Sequence, residues 1–170
     1  MRSIETAATR TGLAVAVALG CAASATAQAG DARGPEDAAV RAAVEQIFEG
    51  MRTANADRVR AVLAADARFA VVDTSGGSAR IGTQSVDGWL EAVGASERRW
   101  DERVYDVHVR VDGAMASVWA PYTFYLDGAV RHCGVNSIEL LRDAGGWKVT
   151  QISDTRRTET CPDPLGGDRT

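Results

Sequence analysis

Lysine is almost missing from this chain: of 170 residues, Lys148 is the only one. Schiff-base chemistry would therefore rest on a single amine set between Trp147 and Val149, where strand alternation points it to water. Histidine is nearly as scarce. His108 and His132 lie on separate segments, and no His-x-x-x-His or Cys-x-x-Cys spacing occurs, which argues against a zinc site. The glycine pairs Gly76-Gly77 and Gly145-Gly146 sit in hairpin turns and Gly166-Gly167 sits in a tail beside Pro162 and Pro164, so none opens a helix as a phosphate loop does. No cofactor motif remains. Long apolar runs are absent too: the stretch over residues 12–23 is rich in Ala and Gly and too short and weak for a membrane span.

What the chain does contain is enough material for one core. With 45% hydrophobic and 25% charged residues it has the make-up of one globular domain, without internal repeats or low-complexity runs. Residues 1–27 read as a signal peptide, with Arg2 and Arg10 in a polar start, a small-residue apolar core and the small-x-small site Ala25-Thr26-Ala27. The expected location is periplasmic or extracellular. In the run Ala18-Leu19-Gly20-Cys21 the order of a bacterial lipoprotein box is disturbed, and lipid anchoring through Cys21 is the alternative. Removing Arg2, Arg10 and Glu5 from 19 basic and 23 acidic side chains leaves 17 and 22, a formal charge of −5. Nucleic acid is a poor partner for such a chain, since Arg98-Arg99 and Arg156-Arg157 are isolated pairs and not a continuous stripe.

Patterning places a leader over residues 28–36, a domain over 37–160 and a tail over 161–170. Pro35, followed by Glu36 and Asp37, opens a helix whose apolar stripe is Val40, Val44, Ile47, Phe48 and Met51. Asn55 can cap a second helix carrying Val59, Val62 and Leu63. A strand over residues 68–73, a Ser75-Gly76-Gly77 turn and a brief strand over 80–82 follow. A third helix, capped by Thr83 or Ser85, carries Trp89, Leu90 and Val93 and stops at Gly94.

From residue 100 to 157 the turns Asp112-Gly113, Asp127-Gly128 and Asp143-Ala144-Gly145-Gly146 separate four strand-like segments. Tyr105, Val107, Val109 and Val111 share one face of the first. In the second, large apolar groups fall on both faces: Val118, Tyr122 and Phe124 alternate with Met115, Trp119 and Tyr125. Either a second subunit covers one face, as in a homodimer through the sheet, or a bulge near Pro121 switches the facing. Cys133 and Cys161 are the only cysteines beyond the signal, and an exported domain with two most simply joins them in a disulfide. If the last two segments pair across their turn, Cys133 falls opposite about Arg156, and Cys161 reaches back from the tail. Two free thiols are the alternative; the adjacent His132 points to the opposite face, so a catalytic thiol lacks its base.

The segments Met51-Arg52-Thr53-Ala54-Asn55-Ala56-Asp57, Leu63-Ala64-Ala65-Asp66-Ala67-Arg68-Phe69 and Gly145-Gly146-Trp147-Lys148-Val149 resemble the nuclear transport factor 2-like superfamily. Within it the chain is most similar to the lumazine-binding-like and polyketide cyclase-like (SnoaL-like) domains of exported bacterial proteins. The resemblance covers residues 37–160. It implies an α+β cone in which three N-terminal helices pack on a strongly curved antiparallel sheet around one pocket, frequently as a dimer. It implies no single activity, because such folds host isomerases, dehydratases, cyclases and binding modules alike.

Alignment with the ketosteroid isomerases of that superfamily puts Ile47 where a tyrosine stands and Val71 where a base stands, with Asp73 two residues on. That chemistry is not expected here. A dehydratase-like pair would join His108 or His132 to Asp106, Asp73 or Asp154. His132 and Asn136 share a strand face with Gly134, whose missing side chain leaves space, and this trio is the leading pocket candidate. Asp154 is expected to pair with Arg156 or Arg131. Trp119, Tyr122 and Tyr125 would supply apolar walls with polar tips. No flavin or pteridine clamp is identifiable. The expected function is therefore binding of a small apolar or aromatic molecule in a pocket including Trp119, Tyr122, His132 and Asn136. The alternatives are an isomerase, dehydratase or cyclase using His132 and Asp154, and an envelope interaction module.

Overall fold

The computed structural model describes residues 34–162. The signal-peptide, lipid-anchor and Gly166-Gly167 readings lie outside the described residues. Helix α1 (Pro35–Arg52) starts on its proline with Glu36 and Asp37 in the first turn and Arg52 in the last, the charge order that the helix dipole favours. Val40, Val44, Ile47, Phe48 and Met51 are all buried on one stripe, as their spacing predicts. Asn55 caps α2 (Ala56–Arg60) by accepting the Arg58 amide at 2.9 Å. This helix is shorter than expected. Leu63 belongs instead to β1, pairing with Val149, while the Val149 amide donates to the Val62 carbonyl at 2.8 Å. Gly50 lets the two helices touch, since a Cβ there would lie 2.4 Å from the Val59 side chain. Ser85 caps α3 (Val86–Gly94), which buries Leu90 and Val93.

Among the described residues seven strands form one sheet: β1 (Leu63–Asp73), β2 (Arg80–Gln84), β3 (Trp100–Val104), β4 (His108–Asp112), β5 (Met115–Leu126), β6 (Ala129–Asp143) and β7 (Gly146–Arg156). Their order is β2-β1-β7-β6-β5-β3, with β4 following β3 along the same edge of β5. Every pair is antiparallel except β1 with β7. Irregularities in register interrupt the β1–β7, β5–β6 and β6–β7 ladders, and such bulges increase the bend of a sheet. The expected uninterrupted strand through Tyr105 and Val111 breaks in two. Asp106 takes φ 48° at the break, and the Tyr105 amide bonds to the Pro121 carbonyl at 3.0 Å.

The inner sheet face and the helices enclose the core, which includes Ile47, Phe48, Leu90, Val118, Ile138 and Leu140. The outer face has two regions. At one end the tail folds back: Cys133 and Cys161 are joined in a disulfide, Cys133 and Arg157 exchange backbone hydrogen bonds, and the Thr123 hydroxyl donates to the Pro162 carbonyl at 2.6 Å. The register is one residue beyond the expected partner Arg156. There Asp101, Thr123 and Tyr125 are buried. At the other end Met115, Trp119 and Leu141 are exposed. The facing does not switch at Pro121, which pairs regularly with Val135; the β5–β6 irregularity comes later, between Phe124 and Tyr125. No helix among the described residues is long and apolar enough to cross a membrane.

Candidate functional site

Strand alternation aims a run of side chains from four neighbouring strands into one cavity on the inner face. On β3 the inward positions are Trp100, Glu102 and Val104; on β5, Tyr122 and Phe124; on β6, His132 and Asn136; on β7, Asp154 and Arg156. Register brings them together: Glu102 pairs with Phe124 and Phe124 with His132, while Asn136 pairs with Asp154. Helix α1 closes the space with Ile47, Phe48 and Met51, and α3 contributes Trp89. The inner void is about 60 Å³. It continues past Glu102, His132 and Arg156 into an antechamber of about 210 Å³ walled by Trp100, Phe124 and Leu126.

The polar floor is a network with one loose end. Arg156 donates to Asp154 through Nε at 2.6 Å and Nη2 at 3.3 Å. The Tyr122 hydroxyl, 3.2 Å from Asp154 Oδ2 and 3.0 Å from the Thr155 carbonyl, donates to this corner. Burial, with the negative charges of Glu102 and Asp154, raises the Tyr122 phenol far above its ordinary value and keeps it a neutral donor. Burial and the nearby Arg156 cation push His132 down to about 4, so its imidazole is neutral at physiological pH. It packs on Phe124 with ring centroids 4.9 Å apart and meets Tyr122 edge-on at 5.8 Å. Glu102 is the loose end. Its Oε1 accepts the Asn136 amide N–H at 2.7 Å. Burial, reinforced by Asp154, lifts this carboxyl to about 7 against the opposing Asn136 hydrogen bond and the Arg156 cation.

Among the expected site residues, Tyr122, His132, Asn136 and Asp154 all line the cavity. Trp119 does not. Three residues from Tyr122 along a strand, it points to the other face, where it is 54% exposed in a shallow groove with His108, Arg110 and Ser117. His108 is opposite Trp119 and pairs with Asp106 at 3.2 Å on an exposed edge. Nor do His132 and Asp154 form a hydrogen-bonded pair: the bonds of Asp154 go to Arg156 and Tyr122. The choice between Arg131 and Arg156 as its cation falls on Arg156. Asp73 is engaged by Ser75 and Arg80 at its turn. Gly134 opens no space above the sheet. The Thr155 carbonyl fills it, and a Cβ at Gly134 would lie 1.7 Å from that oxygen.

The sequence reading missed Glu102. Its signal is the alternation Trp100-Asp101-Glu102-Arg103-Val104, in which a carboxylate stands between two apolar residues on one face. Among the described residues no group of three His, Cys, Asp or Glu side chains is placed to hold a metal.

The family pattern described as a SnoaL-like domain matches residues 40–154, well over half of the chain. The chain belongs to the SnoaL-like domain family. Its fold recurs in solved structures at low identity. A nuclear transport factor 2-like protein of unknown function from Shewanella baltica is 15% identical, with a TM-score of 0.56 over 73% of this chain and 95% of that one. A nuclear transport factor 2-like protein from Cytophaga hutchinsonii is 13% identical, with a TM-score of 0.58 over 72% and 98%. A protein of unknown function with a cystatin-like fold from Nostoc punctiforme is 8% identical, with a TM-score of 0.57 over 74% and 93%. No curated protein matches the chain. What this SnoaL-like domain does must therefore be argued from its own cavity.

Proposed function

We propose that this SnoaL-like domain binds a small, largely apolar molecule in the inner-face cavity. The observation that carries the reading is the union of an aromatic and aliphatic wall, from Met51, Trp89, Trp100 and Phe124, with a floor whose polar groups converge from four strands. Cavities of this composition exclude water from the apolar body of a ligand while a few fixed polar groups set its orientation. Export through residues 1–27 belongs to the same reading, supported by the Cys133–Cys161 disulfide, which suits an oxidising compartment. The test is native mass spectrometry of protein recovered from the periplasmic or extracellular fraction, before and after mild denaturation. A small molecule lost on denaturation supports the proposal; an empty protein that also takes up no apolar probe contradicts it.

A second reading is catalytic, and Glu102 favours it. A carboxyl held near 7 and oriented by Asn136 is poised to accept or return a proton in a ring-lined space. Tyr122 and the neutral His132 would then orient the substrate. The expected mark of this reading is isomerase, dehydratase or cyclase turnover that Glu102→Gln abolishes and His132→Ala only weakens. Turnover insensitive to Glu102→Gln would contradict it.

A further inference from the structure

Among the described residues three ionic side chains, Glu102, Asp154 and Arg156, line the cavity and its antechamber, and two of them pair with each other. Asp154 and Arg156 are joined by two contacts, so Arg156 acts on Glu102 only through space, and no cation among the described residues is bonded to that carboxylate. Among the described residues its hydrogen-bond partner is the neutral amide of Asn136. The space beside it is bounded by rings. Trp100 lies two residues away on the same strand face, Phe124 is its cross-strand partner, and these two rings meet edge-to-face with centroids 6.0 Å apart; Trp89 completes the wall. Carboxylates drawn out of water without a counter-charge are costly, and aromatic faces attract cations. An anionic ligand would meet the Glu102 carboxylate, with Arg156 already engaged by Asp154. A cationic one would give Glu102 its missing partner and lay its apolar body on the rings.

We propose that the ligand is a small apolar or aromatic amine, its ammonium donating to Glu102 and its body packed against Trp89, Trp100 and Phe124. This rests on the reading that the cavity holds a small molecule, and it names that molecule's charge. The groups that face Glu102 leave the assignment to it alone. His132 of β6 is neutral above pH 5, Tyr122 of β5 is an un-ionised phenol, and Asp154 and Arg156 of β7 hold each other. Gln84 of β2 and the lining residues of α1 and α3 bring no charge. Because burial places Glu102 near 7, its preference for an ammonium should strengthen as pH rises from 5.5 to 8.

Three probes of one shape test this on the purified protein by calorimetry at pH 8: 2-phenylethylamine, 2-phenylethanol and phenylacetate. The amine is expected to bind about tenfold tighter than the alcohol, with phenylacetate weakest. Glu102→Gln keeps the hydrogen bond to Asn136 and is expected to bring the amine down to the level of the alcohol, with an unchanged circular dichroism spectrum certifying the fold. On the unaltered protein the amine's advantage shrinks at pH 5.5. Equal affinity for amine and alcohol, or a preference that survives Glu102→Gln, overturns the amine assignment and leaves the cavity reading standing. Binding of none of the three overturns both.

Discussion

Glu102 makes its cost visible in the stability of the fold itself. Replacing it with Gln keeps the shape and the Asn136 hydrogen bond while removing the charge. The carboxyl moves from an ordinary 4.5 to about 7 on folding. An acid raised in this way binds more protons folded than unfolded between those values, so stability is greatest below pH 4.5 and is lost as pH climbs to 7. The full loss above pH 7 is roughly 3 kcal/mol, an upper figure for a cavity open to some water. Glu102→Gln should therefore match the parent protein at pH 4 and exceed it at pH 8.5 by up to about 3 kcal/mol. In urea titrations that is a midpoint about 1 to 2 M higher. His132 acts with the opposite sign: its neutral form is favoured, so stability falls as pH drops from 6.5 to about 4. That slope is common to both proteins and cancels in the difference. A variant less stable than the parent at pH 8.5, or one stabilised equally at all pH values, would refute the reasoning.

Three further perturbations follow from the packing. Cys161→Ser opens a disulfide across 28 residues of chain and should cost about 3.5 kcal/mol in urea unfolding under non-reducing conditions, with the tail accessible to protease. Gly134→Ala drives a methyl group into the Thr155 carbonyl and should cost about 3 kcal/mol or prevent folding, measured by thermal denaturation. Trp119→Ser, on the exposed outer face, should change stability by less than about 0.5 kcal/mol and leave cavity binding intact; a loss of binding would mean that Trp119 reaches the site.

Much of this architecture is legible because its signals are local. The stripe from Val40 to Met51, the Asn55 and Ser85 caps and the Asp-Gly turns each follow from a few neighbouring residues. Long-range partners decided the rest. Leu63 continues a helical pattern in sequence, yet pairing with Val149 claims it for the sheet. Apolar groups on both faces of β5 pointed to a dimer or a bulge at Pro121. The tail pinned by Cys161 bonds to Thr123 on the outer face, while Met115 and Trp119 are left in the open. Of the site, Tyr122, His132, Asn136 and Asp154 were readable from strand parity, because all four lie on the long hairpins β5–β6 and β6–β7. Glu102 was not. Its segment, Trp100-Asp101-Glu102-Arg103-Val104, is mostly charged and looks solvated until α1 and α3 are seen to cover one side of it.

The central claim is that the inner-face cavity, and not the outer groove beside Trp119, is where this domain meets its ligand. Amide chemical-shift mapping with 2-phenylethylamine tests that most directly. The account predicts shifts concentrated at Glu102, Phe124, His132 and Asp154, with Ser117, Trp119 and Arg110 unmoved. Shifts centred on those last three residues, with the cavity silent, would contradict it.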